Sequence, residues 1–425
     1  MPGLLTLLVP ATPPDCRDAL TRDVQFTATR ALIKGATIAL GVQLCLHMGG
    51  TATHAAWMHT ASFIGLLASL FYAQLGRDRS PLALLFAAET TACLLLVSVG
   101  TLWMLGPQSA LPTVFAVLVG LSVATSSLGA PMQSTVYAYV YPEAVRGRLI
   151  SFTRLTQGVV SILGLTLLGL MVRELPGSEW LIYPVAGMLG LWSVRRFCAM
   201  RLPDRALVKP TGRGGAFSFL RVLHTDRAYA RYQFFQFILG IANLTGIPMI
   251  AVFARDELHL GVDVAVFVVA GGVVEQTAVM LTVRMHGWLY DRIGVLWHRV
   301  VTSSLILCAY LVWSVADNVV TAGFACALAG LGLAGGQIIW LIGSLHFAPR
   351  GEESYYASVH SFLTGLRGLI APLLGLFLLQ EVFAHSYRAF FLCCSALIAV
   401  SIVGHALFVR VPPRPATSDR LAPAV

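Results

Sequence analysis

Charge is scarce in this chain. Asp, Glu, Lys and Arg together make up 12% of its 425 residues, where a soluble globular domain carries roughly 25%. With 57% of residues hydrophobic and a mean hydropathy of +0.76, too little polar surface remains to solvate a sphere of this size. Lysine is nearly missing, occurring only as Lys34 and Lys209, while arginine and alanine abound. That bias suits a bacterium with GC-rich coding sequence. The eight cysteines form no CxxC pair and mostly sit inside apolar blocks, and Cys393 and Cys394 adjoin on one helix, so neither a metal site nor a disulfide is expected. A phosphate loop of the GxxxxGK[ST] type is missing, which excludes an ATP-driven pump built from this chain alone. HExxH, GxSxG and acid-rich polar loops are missing too, so the chain is not expected to be an enzyme or to hold a cofactor. No basic segment or small-residue cleavage site precedes Arg17, and a cleaved leader is not expected.

What the chain has instead is long apolar blocks. They fall near 31–50, 55–75, 81–105, 113–137, 149–171 and 181–199, then 232–254, 264–285, 297–315, 320–343, 357–380 and 388–410. Blocks of about 20 apolar residues match the ~30 Å hydrocarbon core at 1.5 Å per residue. Lipid offers backbone groups no partner, so each block must close its own hydrogen bonds as a helix. A β-barrel would show short alternating segments instead. The expected fold class is an all-α integral membrane protein of twelve transmembrane helices.

The net charge of +9 does not point to nucleic acid, because the basic residues flank apolar blocks and there set orientation. With both termini cytoplasmic, all of the 29 Lys and Arg residues fall on the cytoplasmic side except Arg173, Arg255, Arg388 and the intrahelical Arg367. An odd number of crossings would scatter them. Residues 200–230, with Pro203, Pro210 and a GRGG run at 212–215, form the one long hydrophilic stretch. It separates an N-terminal six-helix unit (1–199) from a C-terminal one (231–425) and reads as a cytoplasmic tether.

The halves repeat each other. Gln133 lies thirteen residues before Arg146-Gly147, and Gln337 thirteen before Arg350-Gly351, with a proline between in both. The next block opens SFTRLTQG at 151–158 and SFLTGLRG at 361–368. Matching features on matching helices imply a duplicated six-helix unit, as in transporters built from paired repeats.

The run GWLYDRIG, from Gly287 through Asp291 and Arg292 to Gly294, resembles the GxLxDRxG loop of the major facilitator superfamily. The chain is similar to that family over nearly its whole length. A second, degraded copy at 76–81 keeps the Asp78-Arg79 pair without the glycine frame. The resemblance implies two pseudo-symmetric six-helix bundles rocking about a central site, a monomer in the bilayer, and a small-molecule substrate with H⁺ as a coupling ion. A bacterial inner (plasma) membrane is the expected location. On physical grounds Gly287 and Gly294 permit a tight turn. Asp291 would lie near the positive N-terminus of helix 9, where a charge bond could latch one conformation.

Ionisable groups at mid-bilayer depth cost roughly 2.5–3.5 kcal/mol and are candidates for function. Glu275 stands nine residues from Arg284, about 13 Å along a helix. Arg367 and Glu89 lie at similar depth. Glu275 and Glu89 are candidate proton-coupling residues and Arg367 a candidate anion ligand; the resemblance implies that Glu275 and Arg367, on helices flanking the bundle interface, are better placed than Glu89. In the family's architecture helices 1, 4, 7 and 10 line the cavity, and each here carries an amide: Gln43, Gln133, Gln236 or Asn243, and Gln337. Trp340, one turn from Gln337, could wall the site. Amides both donate and accept, which suits a neutral polar solute; interhelical hydrogen bonding is the alternative role. His47, His54 and His59 match no compact metal motif. The leading expectation is a secondary active transporter of a small organic solute. The alternatives are a transport-inactive receptor or assembly factor, and a drug efflux antiporter. Helix 5 lacks the Gly-Pro of a GxxxGPxxG run, which weighs against the last.

Overall fold

The computed structural model describes residues 12–410 apart from 77, 106–109, 176, 203–217, 259–263 and 350. Most of the tether, and the predicted basic-side residues Arg77, Arg205, Lys209, Arg213, Arg350, Arg414 and Arg420, lie outside the described residues.

The described residues are all-helical, with no strand among them. In the first half run α1 (Pro14–His47), α2 (Ala52–Leu75), α3 (Pro81–Leu105), α4 (Leu111–Val140), α5 (Arg146–Glu174) and α6 (Ile182–Cys198). The second half opens with a short helix, Ser218–Thr225, followed by α7 (Arg227–Asp256). The stretch Val264–Trp313 breaks at Gly294, whose φ of 77° and ψ of 170° leave the helical region, giving α8 (264–293) and α9 (295–313). Then come α10 (Val319–Ile342), α11 (Glu353–Phe377) and α12 (Tyr387–Phe408). Ten helical stretches among the described residues, with α8 and α9 counted as one, are long and apolar enough to cross a membrane.

Local chemistry sets the helix starts. Asp226 precedes α7 and accepts the Tyr229 amide at 2.9 Å, while the Tyr356 hydroxyl reaches its other oxygen at 3.0 Å and docks α11. Asn318 caps α10 through the Val320 and Thr321 amides, each at 3.0 Å. At α2 the cap is Thr51, with His54 reaching back to its amide at 2.9 Å. Arg146 is buried and donates to the carbonyls of Ala138 and Tyr141 at 3.0 Å, satisfying the end of α4 just as α5 begins. Large apolar side chains stand outward on many helices, including Leu75 at 89%, Val320 at 81% and Leu281 at 78% exposure. Water would drive them inward; a lipid surround does not.

Helix ends follow the apolar blocks closely except at the start of α1 and the end of α8, which runs on from residue 285 to the break at Gly294. The block 31–50 predicts a start near residue 31, but the helix begins at Pro14. Asp23 and Arg30 keep the stretch before residue 31 from reading as an apolar block; with Lys34 they fall on one helical face, which looks into the protein.

The two halves meet differently at their two ends. Where α1, α5, α9 and α11 begin and α4, α6, α8 and α10 end, residues of both halves share one core: Tyr137, Ile150 and Phe197 with Val283, Tyr290 and Leu345. At the opposite end each half keeps its own core, Phe115 and Tyr183 in one and Phe253, Trp313 and Phe391 in the other. The molecule is sealed at the arginine-rich end.

Candidate functional site

Between the halves, above the seal, lies a cavity of about 470 Å³. Its floor and walls come from α1, α2, α3, α4 and α5, and α10 closes it with Trp340 and Leu341. On α1, Thr27, Arg30 and Lys34 follow one another at spacings of three and four, so all three face the cavity. Immediately beyond Lys34 the helix widens to a π-helical stretch, Gly35–Leu40, an irregularity that often accompanies functional sites.

Arg30 organises the polar wall. Its Nη1 lies 3.1 Å from Glu89 Oε1 and donates to Gln133 Oε1 at 3.0 Å, while Nη2 donates to Ser126 Oγ at 3.0 Å. Ser126 Oγ in turn donates to the Glu89 carboxylate, 3.1 Å from either oxygen. The Glu89 side chain is 4% exposed and that of Arg30 29%, so the carboxylate is nearly dry and the guanidinium reaches the open space. Removing Arg30 would strand the buried carboxylate.

The network continues away from the cavity. Gln133 Nε2 donates to Tyr137 OH at 2.7 Å, Tyr137 OH donates to Asp23 Oδ1 at 2.7 Å, and Tyr141 OH donates to Asp23 Oδ2 at 2.9 Å. Thr27 adds a third hydroxyl at 3.1 Å. Asp23 is fully buried; three hydroxyls fill its lone pairs, and the charge of Arg154 acts on it from beyond hydrogen-bond distance. Two carboxylates are thus joined through one arginine, one amide and one phenol. On α5, Arg154 Nη1 donates to Gln157 Oε1 at 2.5 Å, and both line the cavity.

Of the residues singled out from sequence, His59, Glu89, Gln133 and Trp340 line this cavity. The others lie elsewhere. Gln43 is exposed toward the far end of α1. Gln236 is buried, its carbonyl accepting from Arg367 Nη1 at 2.7 Å and its Oε1 without a partner. Asn243 Oδ1 accepts from Tyr310 OH at 3.3 Å. Arg367 is buried in the second half, where Nη2 also donates to Thr364 at 3.1 Å. Gln337 and Glu275 are half-buried and absent from the cavity wall; the backbone of Glu275 packs against Gly330 of α10. His54 is engaged at the α2 cap and with Thr113.

Sequence reasoning missed Arg30, Lys34, Arg154 and Asp23. It grouped the three cations with the basic flank of the membrane and passed over the acid. The signal that finds Asp23, Arg30 and Lys34 is the helical spacing of 23, 27, 30 and 34 on α1; no comparable pattern marks Arg154.

The GWLYDRIG segment joins the halves at the sealed end. Asp291 accepts from the Gly147 amide at 2.7 Å and from the Arg148 amide and Nε at 3.0 and 3.2 Å. The helix N-terminus it engages is that of α5, in the other half, rather than that of α9. Gly287 makes no turn: it lies within α8, where an added Cβ would come 2.6 Å from the Gly147 carbonyl. Gly294 alone supplies the positive φ. Arg292 lies over the Trp288 ring at 5.1 Å. Further links cross at this end, from Tyr139 OH to Glu353 at 2.7 Å, between His346 and Glu143 at 3.4 Å, and from Arg284 Nη1 to the Arg148 carbonyl at 2.9 Å. Asp78 and Arg79 are exposed in the turn between α2 and α3.

The sequence pattern of the Major Facilitator Superfamily matches residues 26–366, most of the chain and both halves. The chain belongs to the major facilitator superfamily. No curated protein matches it by sequence. Solved superfamily structures match its fold at low identity. The E. coli fucose:proton symporter FucP is 14% identical with a TM-score of 0.71, covering 92% of this chain and 98% of its own. For the human organic anion transporter MFSD10 the identity is 12% and the TM-score 0.70, over 93% and 100% of the two chains. The proton:xylose symporter XylE is 13% identical at a TM-score of 0.63, over 93% and 95%. At such identities the likeness fixes the superfamily fold and leaves the chemistry to this chain's own residues.

Proposed function

We propose that this protein is a secondary active transporter that moves a small organic solute by alternating access, driven by the proton gradient. The observation that carries the reading is the Arg30–Glu89 pair, set with Ser126 and Gln133 in the wall of a cavity between two halves sealed at one end. An intramembrane carboxylate can exchange its charge for a proton. Glu89 is the coupling residue of this reading: protonation would release Arg30, and loss of the proton would recapture it. Gln133 and Trp340 contact the solute. The proton-coupled sugar transport named for FucP and XylE is consistent with such coupling.

Counting α8 and α9 separately and adding α6 gives twelve crossings. In this reading the bundles are 1–199 and 231–425, the tether and both termini are cytoplasmic, and the monomer resides in a bacterial inner membrane. The form described is then open outward, with Asp291 and Gly287 in the inward gate.

Proteoliposomes carrying a pH gradient, screened with labelled sugars, amino acids and organic acids, test the reading. At least one solute should accumulate uphill and lose that accumulation when a protonophore is added. Glu89→Gln should abolish uphill uptake yet retain exchange of labelled for unlabelled solute. Uptake indifferent to the gradient for every transported solute would remove proton coupling, and no uptake at all would remove transport.

A further inference from the structure

We infer that the solute is a small organic anion, whose carboxylate is held by Lys34 and Arg154. The inference deepens the transport reading, whose cavity it takes as the solute site.

Five formal charges belong to this site. Arg30, Lys34 and Arg154 are cations, Glu89 is an anion in the wall, and Asp23 lies buried behind Tyr137. Neither acid pairs directly with the two remaining cations, although the charge of Arg154 is felt at Asp23. Glu89 is committed to Arg30 and Ser126, and Asp23 to Tyr137, Tyr141 and Thr27. Among the described residues, neither Lys34 nor Arg154 has a carboxylate within ion-pair distance. Arg154 spends one guanidinium nitrogen on the neutral Gln157, and its Nε is buried without a partner. His59, the other titratable group of the wall, can add positive charge but no negative charge.

Two cations facing one cavity repel each other and attract an anion to it. A neutral sugar would leave both unpaired, and an amine would add a third like charge. A carboxylate satisfies both, with Arg154 able to offer a further N–H and Lys34 a compact charge. The rest of the wall argues for an organic body. Ile33, Phe63, Leu66, Leu96 and Trp340 make most of it apolar, which inorganic phosphate could not use. A cavity of about 470 Å³ falls in the range that encloses small organic ligands.

The test is equilibrium binding to the purified full-length protein by calorimetry. The probes are aliphatic and aromatic mono- and dicarboxylates, their amides, inorganic phosphate, neutral sugars and amines. At least one carboxylate should bind, its amide at least tenfold more weakly. Lys34→Gln and Arg154→Gln should each weaken it tenfold or more, while Lys34→Arg and Arg154→Lys retain most of the affinity. The charge-keeping pair separates loss of charge from loss of folding. The inference is overturned if no carboxylate binds at millimolar concentration, if phosphate binds as well as the best carboxylate, or if a sugar or amine binds best. Binding needs no turnover, so carboxylate binding without gradient-driven uptake would sink the transport reading and leave this one standing. Proton-driven uptake of a neutral sugar would do the reverse.

Discussion

Asp23 is the most demanding single residue in the first half. A carboxylate removed from water costs several kcal/mol unless its lone pairs are filled, and here three hydroxyls fill them. Tyr137 is the shared member, since its oxygen also accepts from Gln133. Tyr137→Phe keeps the ring packed between Tyr141 and Phe197 but leaves an Asp23 oxygen and a Gln133 N–H short of a partner. The expected loss is about 1–3 kcal/mol of stability, the usual cost of an orphaned buried polar group. A melting temperature unchanged from wild type in the same detergent would show that Asp23 does not depend on the phenol. Such pairings were illegible in sequence. Asp23 and Tyr137 lie 114 residues apart and Arg30 and Gln133 103 apart. Nothing local in either stretch announces its partner.

Among the helices, legibility followed how evenly polarity is spread around the axis. Blocks apolar on nearly all faces, such as α3 and α12, were found to within a residue or two. The first half of α1 was lost because its polar face looks into the protein, where hydropathy alone cannot distinguish it from a loop. For the same reason Arg30 and Lys34 were assigned to membrane orientation. The α8–α9 turn was legible in its residues but not in its partner: the motif marks Asp291, while the α5 amides it caps come from the other half. That contact invites a prediction about the seal. Asp291→Asn removes a charge from a helix N-terminus and weakens the hydrogen bonds it accepts, together worth about 2 kcal/mol. A shift of that size moves an open–sealed equilibrium by a factor of about 30. Hydrogen exchange at the start of α5, from residue 147 to 151, should rise accordingly. Gly147→Val should act in the same direction and more strongly, because its Cβ would meet Asp291 Oδ1 at 2.6 Å and the Gly287 carbonyl at 2.7 Å. Exchange unaltered in both variants would mean that the seal rests on the shared apolar core alone.

On the scale of the whole molecule, how the ends are sealed and which way the chain faces depend on different parts of the sequence. Sealing at the arginine-rich end comes from a core to which both halves contribute, together with the Asp291, Tyr139–Glu353 and Glu143–His346 links. Orientation depends on how many helices cross, and α6 is the helix that decides it. At 17 residues it is about 26 Å long, at the low end of what spans a bilayer. Arg195 and Arg196 in its last turn can reach out to the interface and extend its effective length. With α6 crossing, the two termini share a side, and the positive-inside rule predicts that side to be the cytoplasm. A fluorescent reporter that folds only in the cytoplasm should therefore work when fused ahead of residue 12 and when fused after residue 410. A periplasmic phosphatase should be inactive at both positions. If α6 lay along the membrane surface, one fusion of each kind would reverse, and the two halves would have to enter the bilayer with opposite sense.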